Sequence, residues 1–242
     1  MGRGLLWGMG AVLGVLITGT AWARDLRFVT VEAAPWAAHD TAVGRDVGVF
    51  PEVVAELKRR LGVSITVALH PFARIDHDLQ SGEQDCTIIV WSDTRAGFVE
   101  RGAALFPHTL GVLARKGVRL ADYGDLRPLR LSVLRGLPLG QPFDGDEAIS
   151  KDYDTDYLQA LRKVVHGRVD AVVGALPTLR YLADRDRIAG LFGDQLVLAR
   201  PELTLQCSKN SANLDLMPSL NRAIGEMRED GTLDRIRAAH YY

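Results

Sequence analysis

The sequence lacks a long hydrophobic run, an excess of either charge and any metal-ligand spacing. Its apolar stretch near the start, from Leu5 to about Ile17, is shorter than the roughly 20 residues that a membrane-spanning helix needs. With 29 basic and 30 acidic residues, the composition does not indicate nucleic acid or an anionic membrane as a partner. The six histidines are scattered, so neither a metal nor another cofactor is expected.

Cysteine is also scarce, since the chain has only Cys86 and Cys207. Each lies in an apolar, strand-like run, where a small buried residue is the ordinary role of a cysteine. An oxidising compartment would also permit a bridge between them. The sequence leaves both interpretations open.

The first 23 residues have the pattern of a secretory signal. Arg3 is their single charge, the apolar stretch follows it, and Ala21-Trp22-Ala23 supplies small residues at the cleavage positions before Arg24. The alternative, a membrane anchor, is weakened by the short length and the glycines of the stretch. We therefore predict cleavage after residue 23 and a mature protein in the bacterial periplasm.

Strand-like and helix-like segments alternate along the rest of the chain, which indicates an α/β protein with parallel sheets covered by helices. The first unit has strands at 26–32, 64–69 and 85–91 and helices at 50–61 and 71–80. Two short strand-like runs between 103 and 115 precede a second unit, with strands at 129–134 and 170–174 and helices at 156–165 and 177–184. An extended stretch at 196–208 and helices at 217–229 and 233–239 close the chain. We predict two lobes, the first formed by 24–110 and 200–242 and the second by 111–199, with a functional cleft between them.

Five stretches carry a family resemblance. In chain order they are a glycine-led helix at 48–57, a helix, glycine and aspartate at 79–85, a serine followed three positions later by arginine at 92–95, a helix and strand at 158–173, and two closing helices at 220–236. Together they resemble the extracytoplasmic solute-binding proteins of the polar amino-acid uptake class, which have the type II periplasmic binding fold.

The resemblance implies two open, mostly parallel sheets with helices on both faces and two hinge crossings. It also implies a monomer that binds a small solute by hinge closure and delivers it to the membrane permease of an ABC transporter.

Arg95 is the first candidate for ligand binding. It follows a buried strand at the edge where open α/β sheets bind ligands, and a guanidinium can hold a carboxylate through two parallel hydrogen bonds. Ser92 can add a hydroxyl donor. The alternative is that Arg95 pairs with Asp93 or Glu100 on the surface.

Aromatic side chains are the second group of candidates, because a flat ring can cover an apolar or cationic part of a ligand. Trp36 follows the first strand and Trp91 precedes Ser92, so both are expected near the cleft unless they belong to the core. The resemblance adds Phe72 and makes Arg74 a plausible second contact, with a solvated helix arginine as the alternative.

The second lobe contributes a loop that begins at Arg135 and Gly136, where backbone amides can meet an anionic group. Relatives that bind α-amino acids usually place threonine or serine where this chain has Leu137, and an acidic residue near the position of Ala175. An ammonium group without a partner in a closed cleft is costly. We therefore expect a carboxylate-bearing solute other than a standard α-amino acid.

Two other functions remain open from the sequence. A protein of the same fold can be a periplasmic sensor or an accessory subunit that docks on a receptor. Some relatives are dehydratases, for which Glu32, His39 and His70 are available, but their spacing does not indicate catalysis and no enzyme activity is predicted.

Overall fold

A computed structural model of the protein describes residues 25–241, so the predicted signal segment lies outside the described residues. The strands are β1 (Asp25–Val31), β2 (Ala38–Asp40), β3 (Arg45–Val47), β4 (Ser64–His70), β5 (Cys86–Val90), β6 (Val99–Pro107), β7 (Leu110–Arg115), β8 (Arg130–Leu134), β9 (Ser150–Asp154), β10 (Ala171–Ala175), β11 (Phe192–Ala199) and β12 (Glu202–Ser208). The helices are α1 (Val49–Leu61), α2 (Phe72–Ser81), α3 (Tyr157–Val165), α4 (Leu176–Arg185), α5 (Met217–Glu229) and α6 (Thr232–Tyr241).

The first sheet has the strand order β4-β1-β5-β12-β6. β1 pairs in parallel with β4 and β5, whereas β12 is antiparallel to both of its neighbours. Helices α1, α5 and α6 pack against one another beside this sheet, and α2 packs on β1 and β12. Because β12 comes from near the end of the chain, the sheet joins the first and last parts of the sequence.

The second sheet has the order β11-β7-β10-β8-β9 and is formed by the chain between its two passages through the first sheet. β10, β8 and β9 are parallel, β7 is antiparallel to β10, and α3 and α4 pack on β10. The chain passes between the sheets at 107–110 and again at 199–202. The two-lobed α/β fold with two crossings is thus confirmed, while the exact limits of the lobes stay a prediction.

Helix α1 illustrates how the sequence specifies these elements. Its apolar residues recur on one face, and Val53 and Leu57 are completely buried there. The helix ends where Gly62 adopts a left-handed conformation and its N–H bonds the carbonyl of Lys58. Lys58, Arg59 and Arg60 lie in its last turn, where cations are favoured by the helix dipole.

Cys86 and Cys207 lie opposite each other in the register of β5 and β12, with 4.0 Å between their Cα atoms, and they form a disulfide. Both are buried. Of the two interpretations that the sequence left open, the bridge is the one that the structure contains.

Two features of the fold are absent from the sequence-based prediction. The edge strand β9 has the polar sequence Ser-Lys-Asp-Tyr-Asp, and the antiparallel pair β2–β3 has only three residues in each strand. Neither shows the alternation of apolar and polar residues by which strands are recognised. Within residues 25–241, no helix combines the length and the apolar character needed to cross a membrane.

Candidate functional site

A cavity lies between the two sheets, at the carboxyl ends of strands from both. Val31, Val90, Leu134 and Ala175 are the last residues of β1, β5, β8 and β10, and all four line it. This is the edge of an open α/β sheet at which ligands bind. In this closed arrangement the cavity has a free volume of about 30 Å³, room for about two water molecules, so a solute can enter only when the lobes move apart. Its other lining residues are Ala33, Trp36, Phe50, Phe72, Ile88, Ile89, His108, Leu137, Tyr157, Thr178 and Leu203.

Trp36 connects the two lobes across this cavity. Its ring stacks on Phe50 with 5.0 Å between centroids, and its Nε1 donates a hydrogen bond to Oγ1 of Thr178 in α4 at 2.9 Å. The side chain is buried as well as lining the cavity. Trp36 thus combines the two roles that the sequence presented as alternatives, and the lobes are in contact in this structure.

Tyr157 forms part of the wall from the second lobe. A Cβ atom on Gly174 would lie 2.2 Å from a carbon of the Tyr157 ring, so only glycine leaves room for the ring there. The Tyr157 hydroxyl accepts a hydrogen bond from the backbone N–H of Ala175 at 3.0 Å. Burial raises the pKa of Tyr157 and keeps the phenol neutral. The amide at the end of β10 therefore already has a partner within the protein.

Arg95 lies in a short 3-10 turn just after β5 and is only 1% exposed. Its Nε donates to Oδ1 of Asp76 at 2.5 Å, its Nη1 donates to the carbonyl of Val90 at 2.6 Å, and its guanidinium lies 5.6 Å from the centroid of the Phe72 ring. Arg95 therefore does not pair with Asp93 or Glu100 on the surface. Two of its three guanidinium nitrogens are bonded within the protein, and Arg95 is not among the residues that line the cavity. Contact between Arg95 and a ligand stays a prediction.

Two further candidates lie where the lobes meet. Phe72 lines the cavity from the start of α2. Gly136 has a φ of 83°, and a Cβ added there would lie 3.3 Å from the Cα of Ala73 in the other lobe. The loop of the second lobe therefore approaches the start of α2 closely, as expected when the two lobes are closed on each other.

The remaining candidates lie outside the cavity lining and have other surroundings. Trp91 donates to Asp93 at 2.8 Å, and the Ser92 hydroxyl lies 2.8 Å from that of Thr94. Arg74 is exposed and bonds Asp78 at 3.3 Å, and Arg135 is exposed. The geometry does not bring these four residues together, and a role for them in binding stays a prediction.

The two positions at which the sequence departs from α-amino-acid binders are brought together. Leu137 and Ala175 both line the cavity, and both are buried. In the part of the chain that the structure describes, the lining contains no acidic side chain. The cavity therefore offers no carboxylate to an ammonium group.

His108 was not recognised from the sequence, although it follows the break between the strand-like runs. It lies in the first crossing, lines the cavity and is 6% exposed, and its ring centroid is 5.3 Å from that of Trp36. Burial lowers the pKa of His108 to about 4, so the imidazole is neutral at pH 7. Among the described residues, no group forms a hydrogen bond with its Nδ1.

A wider hollow, here called the outer cleft, shares Val31, Phe72 and Tyr157 with the cavity. It also contains the charged side chains Glu32, Asp156 and Arg185. Of the residues available for dehydratase chemistry, only Glu32 lies there. His39 bonds Asp46 at 2.8 Å and His70 bonds Asp78 at 2.6 Å.

One cluster outside the cavity has metal-ligating groups. Single atoms of His77, Asp78 and Glu83 lie within 4.8 Å of one another. Asp78, however, already bonds His70 and accepts a hydrogen bond from Arg74, whose positive charge opposes a cation at the same place. The cluster is better explained as a set of ion pairs on α2.

Comparisons with known proteins agree with this geometry. Residues 26–241 match the family model of bacterial extracellular solute-binding proteins, family 3. The probable amino-acid-binding protein YxeM of Bacillus subtilis (strain 168) is 22% identical over 220 residues, which cover 88% of this chain and 81% of that protein.

Solved structures show the same fold. An ancestral arginine-binding protein bound to arginine superposes with a TM-score of 0.79 at 24% identity, covering 91% of this chain and all of the other. A histidine kinase sensor domain with similarity to periplasmic binding proteins superposes with a TM-score of 0.77 at 18% identity, covering 90% and 96%. Since the family model spans nearly all of the described residues, the chain belongs to the bacterial extracellular solute-binding proteins of family 3.

Proposed function

We propose that this protein binds a small solute between its two lobes in the periplasm and serves as the substrate-binding component of a membrane transporter. The observation that carries the proposal is the cavity at the facing carboxyl ends of strands from both sheets, closed by the hydrogen bond from Trp36 to Thr178. Membership of an extracellular solute-binding family supports the location and the role.

The ligand that fits best is a carboxylate with an apolar body and without an ammonium group. The apolar walls, including Leu137 and Ala175, suit such a body and offer no carboxylate to an ammonium group, whereas the acidic side chains Glu32 and Asp156 line the adjoining outer cleft. The Arg95 guanidinium lies 5.6 Å from the centroid of Phe72, which lines the cavity, and we place the ligand's carboxylate on that side.

Binding would work by closure about the two crossings at 107–110 and 199–202. A ligand shifts an equilibrium between open and closed lobes only by its greater affinity for the closed form. Contacts with both lobes supply that difference here, because the cavity is walled by Phe72 from one lobe and by Tyr157 from the other.

A thermal-shift screen with matched pairs tests the ligand class. Each pair consists of an α-amino acid and the acid that lacks its amino group, such as phenylalanine and 3-phenylpropanoate, or leucine and 4-methylpentanoate. At 100 times its dissociation constant a ligand adds about 2.7 kcal/mol of stability, so binding raises the melting temperature measurably. We expect the deaminated members to stabilise the protein. Equal or greater stabilisation by the amino acids would contradict the proposed class.

The second candidate function is sensing, because the fold also occurs in a histidine kinase sensor domain. Pull-down from periplasm with and without a stabilising solute separates the two roles. A transport component should bind a membrane permease and retain no periplasmic protein. A sensor should retain a receptor or a periplasmic enzyme, and the amount retained should depend on the solute.

A further inference from the structure

The cavity contains one buried polar atom that the protein leaves without a partner. His108 is 6% exposed, and within residues 25–241 nothing forms a hydrogen bond with its Nδ1. Two other polar groups of the lining have partners within the protein, since Trp36 Nε1 donates to Thr178 and the Tyr157 hydroxyl accepts from the N–H of Ala175. His108 is therefore a polar group of the wall that is free to meet a guest.

A polar atom in this position is costly unless something pairs with it. Buried polar side-chain atoms nearly always have a hydrogen-bond partner, and one without a partner indicates strain, a functional role or a bound molecule. His108 lines the space in which we place the solute. A polar group of a bound solute is one partner that would satisfy it.

The chemistry of this partner follows from the state of the ring. A neutral imidazole has one nitrogen that donates and one that accepts, and the tautomer decides which is which. An ammonium group can pair with Nδ1 of His108 only in the tautomer in which that nitrogen accepts. A carboxylate can pair with it only in the tautomer in which it donates. A hydroxyl group donates and accepts, so it pairs with Nδ1 in either tautomer and carries no charge into the apolar wall.

We infer that His108 is a specificity-determining residue that binds an uncharged hydroxyl group of the ligand beside the first crossing, while the ligand's carboxylate lies toward Phe72 and Arg95. The inference rests on the proposed function and narrows its ligand class to hydroxylated apolar acids. Because His108 lies in the first crossing, the contact would form where the two lobes join.

Calorimetric titration with matched probes tests the inference. The probes are 3-phenylpropanoate and its three derivatives with one hydroxyl group on the ring. They are titrated at pH 7 into the wild-type protein, into His108→Phe and into the control His166→Gln, whose histidine is exposed. We expect one hydroxylated isomer to bind about 10-fold or more tightly than the parent acid, the effect of satisfying a buried polar atom. In His108→Phe this preference should disappear while the parent acid still binds. In His166→Gln the preference should persist.

Failure of the inference and failure of the proposed function give different results. If all four probes bind the wild type with equal affinity, or if the preference survives in His108→Phe, the inference is overturned while the cleft keeps its role. If none of the probes binds and the matched acids of the thermal-shift screen do not either, the proposed ligand class falls and the inference falls with it. His108→Gln, which keeps a polar side chain, should retain part of the preference and guards against misfolding of the phenylalanine variant.

Discussion

Arg95 brings a positive charge into the interior of the first lobe, and Asp76 balances it there. The guanidinium is 1% exposed whereas the Asp76 side chain is 43% exposed, so the carboxylate lies nearer to water than the charge it balances. Because Asp76 is 19 residues away in α2, this pair could not be predicted from the sequence. An arginine could be placed at the carboxyl edge of the sheet from the sequence, but its partner could not.

Replacing Arg95 with alanine should weaken binding of a stabilising carboxylate by roughly 30-fold or more, which corresponds to about 2 kcal/mol, because truncation removes one partner of a desolvated charge pair. The measurement is calorimetric titration of Arg95→Ala. Arg222→Ala is the matched control, since Arg222 is exposed on α5 and lies outside the cavity lining. Equal losses in both variants would argue against a specific role for Arg95.

His108 should also make the stability of the protein depend on pH. In the folded state its pKa is about 4, compared with 6.5 for an unperturbed histidine, so between these values the unfolded chain binds a proton that the folded protein does not. Stability is therefore fully present above pH 6.5 and falls as the pH drops toward 4. The shift of about 2.5 units corresponds to about 3 kcal/mol.

Urea denaturation at pH 7 and pH 4.5 measures this loss. His108→Gln should lose less stability than the wild type between the two values, whereas His166→Gln should behave like the wild type. Glu56 and Asp230, whose arginine and threonine partners lower their pKa to about 2, lose their contribution only at more acidic pH. An unchanged pH dependence in His108→Gln would refute the assignment.

At the scale of elements, β12 ties the end of the chain to its beginning. It lies between β5 and β6, and the disulfide from Cys86 to Cys207 adds a covalent link to its hydrogen bonds with β5. The sequence predicted an extended stretch at 196–208 but not which strands it would join. Strand pairing between distant segments depends on the tertiary fold, which local periodicity does not encode.

Replacing both cysteines with alanine should lower the free energy of unfolding by about 2–5 kcal/mol, because the bridge spans 121 residues and restricts the unfolded chain. Urea denaturation of Cys86→Ala/Cys207→Ala measures the loss. The wild type under reducing conditions, once the bridge is shown to be open, should resemble the double variant. A double variant as stable as the oxidised wild type would contradict the expected contribution.

The buried elements were predicted closely, and the exposed elements at the edges were not. Helix α1 was expected at 50–61 and runs from Val49 to Leu61, since its buried face repeats at helical spacing. Strand β9 was missed because Ser150 to Asp154 is polar and lies at the edge of its sheet. Buried elements have a regular spacing of apolar residues that can be recognised in the sequence. An exposed edge strand such as β9 lacks that spacing.

At the scale of the whole molecule, the alternation of strands and helices was enough to predict two α/β lobes with a cleft between them. The residues that line the cavity were only partly predictable. Trp36 and Phe72 follow strands and were expected there. The other three were not: Tyr157 is the first residue of α3, Thr178 lies in the first turn of α4, and His108 lies in the first crossing. Their roles depend on how the lobes meet, which the sequence does not display.

The bond between Cys86 and Cys207 encloses every residue of the second sheet within one covalent loop. A protease that cuts the chain anywhere in that loop therefore does not release a fragment. After one cut the two parts of the chain stay joined by the disulfide between β5 and β12. They separate only when the disulfide is reduced and the strands come apart.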